Sequence, residues 1–241
     1  MDFGKLIAHR GVHNNIIPEN SMAAFSLAVK RGLAIELDVR LTADKKLVVF
    51  HDKDLTRMCG VEGNISHFTY AQLCCFTLGN TKERIPLLSD VLKLVSGKVP
   101  LLIEVKEDSP LIDTEKRLSH LMKDYDGEWA VQSFNPLSIL WFRMFDSNVC
   151  RGVLTSKFKP FKSLKHMLRY LCSFPVVWNT IAKPDFISCD LRSITFKNIE
   201  ESFKYGTQLF SWTAKGKELI EEALKFSDSV IFDISDLKDV C

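Results

Sequence analysis

Ile35-Glu36-Leu37-Asp38-Val39-Arg40, then a polar Thr42-Ala43-Asp44-Lys45-Lys46, then Leu47-Val48-Val49-Phe50-His51-Asp52, is the stretch on which the fold turns. Short runs of Leu, Ile, Val and Phe bounded by polar residues read as buried strands. The connector between the two runs is too short for a crossover helix, so the second run is expected to return antiparallel beside the first. That hairpin brings His51 level with Asp38. Upstream, Leu6-Ile7-Ala8-His9-Arg10-Gly11 has the same form, an apolar run ending in ionisable side chains. Desolvating a carboxylate or guanidinium costs several kcal/mol unless the group is paired or binds a metal. Strand ends of this kind converge on something that needs charge, and metal-assisted chemistry on an anion fits them.

Working outward, Asn20 or Ser21 caps a helix that runs to about Lys30, and Gly32 closes it. Residues 52–84 are irregular, with a short helix near 69–76, and 87–95 is helical. Five strand–helix pairs follow: 101–105 with 112–123, 129–134 with 136–145, 150–154 with 161–171, 186–189 with 196–205, and 208–212 with 218–226. A last strand occupies 229–232. With the return arm of the hairpin set aside, eight strands remain, seven of them followed by helical patterns. The expected fold is an α/β (β/α)8 TIM barrel, distorted by the hairpin after its second strand and by a small insertion, about residues 52–86, before its third. A doubly wound open sheet is the alternative. The 241 residues are read as one domain, 1–241.

A net charge of +2 gives no case for nucleic acid, which calls for a concentrated basic patch. The basic stretch 157–169, which carries two Phe, reads as a solvated helix face before a membrane-binding one. Seven Cys, an odd number without any Cys-x-x-Cys and with Cys74 beside Cys75, read as reduced thiols of a cytoplasmic protein. The first strand starts so close to Met1 that no signal peptide is expected. No apolar run approaches the roughly 20 residues of a transmembrane segment.

In such barrels the site lies at the C-terminal ends of the strands. His9 and Arg10, Glu36 and Asp38, Glu104 and Lys106, Gln132 and Trp212 all fall there. A spacing of two puts Glu36 and Asp38 on one face of their strand, and likewise Glu104 and Lys106. Three converging carboxylates, Glu36, Asp38 and Glu104, repel one another unless a hard divalent cation, Mg2+ or Ca2+, lies among them. Zinc would call for Cys or His. Each residue taken singly has a plainer explanation: a solvated Glu-x-Asp edge, a core histidine at His9, a surface ion pair at Arg10, a salt bridge from Lys106 to Glu104, a core Trp212, a helix cap at Asn20. Their common position at strand ends of one barrel favours the site. His13, His67, His120 and His166 lie off the strand ends and stand as controls, His13 being nearest to the site.

The motifs His9-Arg10-Gly11, Pro18-Glu19-Asn20-Ser21, Glu36-Leu37-Asp38-Val39, Thr42-x-Asp44 and Val48-Val49-Phe50-His51-Asp52 resemble those of the glycerophosphodiester phosphodiesterases. Ile85-Pro86, Ile103-Glu104-Val105-Lys106, Val131-Gln132-Ser133-Phe134 and Ser211-Trp212-Thr213 continue the resemblance in order. It implies a distorted TIM barrel that hydrolyses glycerophosphodiesters to glycerol 3-phosphate and an alcohol. It assigns one divalent cation to Glu36, Asp38 and Glu104, acid–base catalysis to His9 and His51, and the phosphate to Arg10 and Lys106. Glu19, Asn20, Gln132 and Trp212 would bind substrate or support those that do. The chain departs from the pattern at Ser21, at Asp44-Lys45, after Trp212, and at Ile231-Phe232-Asp233, where Thr-Asp is commoner. The last two departures bear on which alcohol is accepted. Two other readings are a lysophospholipase D type enzyme acting on lysophospholipids, for which the apolar run 174–178 is the feature, and an inactive barrel that only binds a phosphorylated ligand.

Overall fold

The computed structural model describes residues 1–106, 112–156, 182–194, 200 and 206–233. Eight strands run parallel: β1 (Leu6–Ala8), β2 (Ala34–Leu41), β4 (Leu101–Val105), β5 (Trp129–Ser133), β6 (Cys150–Thr155), β7 (Phe186–Asp190), β8 (Gln208–Lys215) and β9 (Ser229–Asp233). β1 pairs with both β9 and β2, so the ring closes and the open-sheet alternative is excluded. β3 (Leu47–Val49) lies outside the ring, antiparallel to β2, with Val39 opposite Val49. The hairpin forms as expected, and the Phe50 N–H donates to the Asp38 carbonyl at 2.9 Å.

Side chains alternate between the two faces of each strand, and the alternation builds both the core and the site. On β2, Ile35, Leu37, Val39 and Leu41 point outward into a layer shared with α1 (Met22–Lys30) and α4 (Leu88–Val95). Ile7, Ala34, Leu102, Ala130, Phe186, Phe210 and Ile231 point inward and fill the bottom of the barrel. One inward step further along the same strands come His9, Glu36, Glu104, Gln132, Ser188, Trp212 and Asp233. The barrel thus carries an apolar floor and a polar mouth, both written by period-two spacing. The floor is close-packed: Phe186 stacks on Phe210 at 4.5 Å, and a Cβ on Gly152 would lie 2.0 Å from the Phe186 ring.

Helices α5 (Asp113–Met122) and α6 (Pro136–Phe145), and a helix Lys217–Ala223, fall where the strand–helix alternation puts them. The helices expected at 161–171 and 196–205 lie outside the described residues apart from Glu200, which is helical. The runs 157–169 and 174–178 lie wholly outside them too. The insertion before β4 holds α2 (Thr56–Cys59) and α3 (Tyr70–Leu73), the latter opened by a capping box between Thr69 and Gln72. It buries its own cluster, including Leu55, Ile65, Leu73 and Leu78, against Val48 and Phe50 of the hairpin. Among the described residues no helix is long and apolar enough to cross a membrane, and Cys59, Cys74, Cys75, Cys150 and Cys189 are free.

Candidate active site

The chain leaves β1 through Arg10 and Gly11, both at positive φ (55° and 78°). Gly11 has a second reason to lack a side chain, since a Cβ there would lie 2.9 Å from the Ala24 backbone at the start of α1. The tight exit turns the Arg10 N–H onto Glu36 Oε2 at 3.1 Å and its guanidinium onto Glu19 at 2.7 Å and Asp38 at 3.4 Å. Ser21 caps α1, its hydroxyl accepting from the Ala24 N–H. Asn20, weighed in the sequence as a cap, is buried at positive φ and donates instead to Asp38 Oδ2 at 2.8 Å. The hydroxyl of Ser21 already meets the helix, which leaves the longer Asn20 amide for the barrel.

Glu36, Asp38 and Glu104 are all buried, and each offers an oxygen within 4.8 Å of the others. Lys106 Nζ bridges two of them, 2.7 Å from Asp38 Oδ1 and in contact with Glu104. The Lys106–Glu104 pair expected as the plain reading of Lys106 does form, but within this cluster. Two cationic side chains therefore face three carboxylates. Although burial opposes it, Lys106 and Arg10 hold Asp38 well below the usual carboxylate range. Burial, with Asp38 and Glu104 alongside, pushes Glu36 well above that range, and burial also raises Glu104. A site whose buried carboxyls resist ionising beside one another has room for further positive charge. Three buried oxygen donors without thiol or imidazole suit a hard divalent cation, so the donor set fits Mg2+ or Ca2+.

The two histidines are oriented alike. His9 Nδ1 meets Asp233 Oδ1 at 2.6 Å, and His51 Nδ1 meets Asp52 Oδ1 at 2.7 Å. An ionised carboxylate at Nδ1 accepts that nitrogen's proton in a hydrogen bond and leaves Nε2 with the lone pair. Burial pushes His9 below the ordinary imidazole value against the pull of Asp233, and pushes His51 down against the pull of Asp38. Arg40 donates to the His51 carbonyl at 2.7 and 3.0 Å and so fixes that residue's backbone. Asp52 is in turn held by Arg57, and Arg57 by Glu19 at 2.7 and 2.9 Å. Glu19 thus sits between Arg10 and Arg57 and orients both.

His9, Arg10, Glu36, His51, Glu104 and Lys106 border one pocket of about 100 Å3, closed on its far side by Gln132, Phe134 and Trp212. Trp212 stands edge-on to Phe134 and donates Nε1–H to the Ser188 carbonyl at 3.0 Å. Every site residue named from the sequence is in this pocket or one hydrogen bond from it. Sequence reasoning missed the roles of Asp233 and Asp52 as histidine partners and that of Arg57. For Asp233 a signal existed, since it occupies the inward register of the last strand, one step beyond Ile231 and two beyond Ser229. His13, expected off the site, places Nε2 3.2 Å from Asp233 Oδ1. The reversal of the chain at Gly11 folds the loop back over the mouth and brings it there. His67 and His120 lie away, in a turn of the insertion and on α5. His166 lies outside the described residues.

A closed parallel barrel with buried carboxylates, paired cations and two carboxylate-oriented imidazoles at its C-terminal mouth defines a hydrolase for anionic substrates. Residues 9–236 match the glycerophosphoryl diester phosphodiesterase family. A glycerophosphodiester phosphodiesterase of Caldanaerobacter subterraneus subsp. tengcongensis is 34% identical over 95% of this chain and 93% of its own. The chain belongs to that family and is a phosphodiesterase. Solved structures share its fold. A putative glycerophosphoryl diester phosphodiesterase from Silicibacter pomeroyi superposes with a TM-score of 0.82 at 20% identity, covering 97% of this chain and 91% of that one. An Oleispira antarctica phosphodiesterase in complex with the product sn-glycerol-3-phosphate gives 0.80 at 22% identity, covering 96% and 93%.

Proposed function

We propose that this chain hydrolyses glycerophosphodiesters to glycerol 3-phosphate and an alcohol, using one Mg2+ or Ca2+ held by Glu36, Asp38 and Glu104. His9 and His51 act as its acid–base pair. The observation that carries the proposal is the convergence of His9, Arg10, Glu36, His51, Glu104 and Lys106 on one pocket. The family match supports the substrate class, as does the product named for the Oleispira antarctica enzyme.

The charges of the cluster support the chemistry. When bound, the cation supplies Lewis acidity and positive charge for a phosphoryl oxygen. With Arg10 and Lys106 present and all three carboxylates ionised, the site then carries one net positive charge, the complement of a phosphodiester monoanion. Arg10 and Lys106 bind the phosphate and stabilise the charge that grows on it. Nε2 of one histidine takes the proton of the attacking hydroxyl, from water or from the substrate's own glycerol. Nε2 of the other delivers a proton to the leaving alkoxide. Asp233 and Asp52 hold the two rings in the tautomer this requires. Gln132 Oε1 is buried without a hydrogen-bond partner and offers an acceptor for a glycerol hydroxyl, with Trp212 and Phe134 walling the same side.

Turnover of glycerophosphocholine compared with that of a lysophospholipid bearing the same head group tests the proposal. The diester lacking an acyl chain should be much the better substrate. Preference for the lysophospholipid would make the chain a lysophospholipase D type enzyme. Cleavage of neither would overturn choline diesters as the substrates and leave a phosphodiesterase acting on another diester.

A further inference from the structure

The mouth of the barrel holds a second group of ligating side chains, which the proposed reaction uses only in part. His9, His13 and Asp233 bring a ring nitrogen each and a carboxylate oxygen within 4.8 Å of one another. Asp233 Oδ1 lies 2.6 Å from His9 Nδ1 and 3.2 Å from His13 Nε2, and Lys215 Nζ stands 3.7 Å from Oδ2. The two rings are tilted by 58° with centroids 6.5 Å apart, so they do not stack and a gap remains between them. Their side chains are 17% and 22% exposed and border a cleft of about 920 Å3, through which an ion can arrive.

The chemistry differs from that of the three carboxylates. Two imidazole nitrogens with one carboxylate oxygen are a donor set for borderline metals such as Zn2+, not for hard Mg2+ or Ca2+. With bonds of about 2.0–2.1 Å, adjacent ligand atoms of a tetrahedral zinc lie about 3.3 Å apart. The His13–Asp233 separation is already close to that, and the His9–Asp233 pair must open by less than about 1 Å.

We propose that His9, His13 and Asp233 form a second cation site, selective for Zn2+ and metals of its kind, whose occupation switches the phosphodiesterase off. The binding part stands on this geometry alone, whereas the inhibitory part also rests on His9 serving acid–base catalysis. In the resting arrangement the His9 proton sits on Nδ1 against Asp233, and Nε2 is free to accept another. A metal at Nδ1 displaces that proton, and the neutral ring then carries it on Nε2. Nε2 can then neither take a proton as a base nor, in a ring that Nδ1 coordination keeps from becoming an imidazolium, readily give one as an acid, and Asp233 is drawn away from its orienting role.

The test uses the whole protein with Mg2+ saturating the carboxylate cluster. Co2+, added as a spectroscopic probe, should give a visible ligand-field band that Zn2+ abolishes. Zn2+ should inhibit glycerophosphocholine turnover. In His13→Ala the band should be lost. The Zn2+ concentration for half-inhibition, taken relative to that variant's own zinc-free rate, should rise at least about tenfold, since even indirect changes move metal affinity by that much. Asp233→Asn, a second variant, should lose the band as well. A band of equal strength in the wild type and both variants overturns the site. An unmoved half-inhibition in His13→Ala overturns it too, because zinc would then be acting at Glu36, Asp38 and Glu104. A band without inhibition overturns the switch and leaves only the binding. The spectrum reads the site even on a substrate the enzyme fails to cleave, so failure of the proposed function and failure of this site are distinguishable.

Discussion

At the residue scale, His9 and His51 each have one ring nitrogen committed to a carboxylate and the other available for proton transfer. His9→Ala and His51→Ala should each lower kcat by about 10²–10⁴-fold, the usual worth of a positioned acid or base. The double variant should be little worse than the poorer single one, because both serve one proton-transfer cycle. His120→Ala, on α5 and away from the mouth, is the control. Near-wild-type turnover in either folded single variant, or an equal loss from His120→Ala, would contradict the assignment. Glu36 gives a prediction of another kind. Burial and its two carboxylate neighbours raise its pKa well above the ordinary value, so the cation-free site favours a proton there more than an ordinary carboxyl does. A cation entering the cluster must expel it, so cation affinity should rise with pH through the raised pKa of Glu36 and fall as pH drops. Calorimetric titration of Mg2+ in two buffers of different ionisation enthalpy should show a proton released on binding. A buffer-independent heat with pH-independent affinity would contradict it.

Most of these residues were legible in the sequence because strand register fixes which side chains enter the barrel. The partners of the histidines were less so. Asp233 reaches His9 across 224 residues of chain, and only closure of the ring by β1 and β9 brings them together. His13 was placed outside the site because sequence spacing cannot show a loop doubling back at Gly11. Asn20 and Ser21 are equivalent as caps by residue type, and it is the barrel, through Asp38, that decides between them.

At the element scale, the barrel depends on matched sizes along its inward face. Gly152 on β6 leaves the space that Phe186 of β7 occupies, and Phe186 in turn stacks on Phe210 of β8. Gly152→Ala should therefore destabilise the fold by about 1–3 kcal/mol, the range for forcing extra volume into a packed core. The check is the urea midpoint at unchanged m. An unchanged midpoint would show that the floor is looser than these contacts imply. The barrel strands and their flanking helices were foreseen to within a few residues wherever they are described, because each strand is a short apolar run and each such helix a longer periodic one, whereas the single turns Thr56–Cys59, Ile65–His67 and Leu191–Ser193 are too short to leave a periodic pattern. β8 ran furthest past expectation, ending at Lys215 instead of residue 212, since its last residues pair with β9 after a register shift that polar composition conceals.

At the scale of the whole molecule, the closed ring puts the apolar ends of eight strands at one side and their ionisable ends at the other. This is why a site drawn from residues 9 to 233 is compact. The family match extends over 9–236 and so takes in every residue named at that mouth, from His9 to Asp233. The central claim is that the buried carboxylates hold the cation on which this chemistry depends. The most direct measurement is release of glycerol 3-phosphate from glycerophosphocholine by protein stripped with chelator and then titrated with Mg2+ or Ca2+. The account predicts no turnover in the stripped protein and its return with one of the two cations. Full turnover after exhaustive stripping would contradict it.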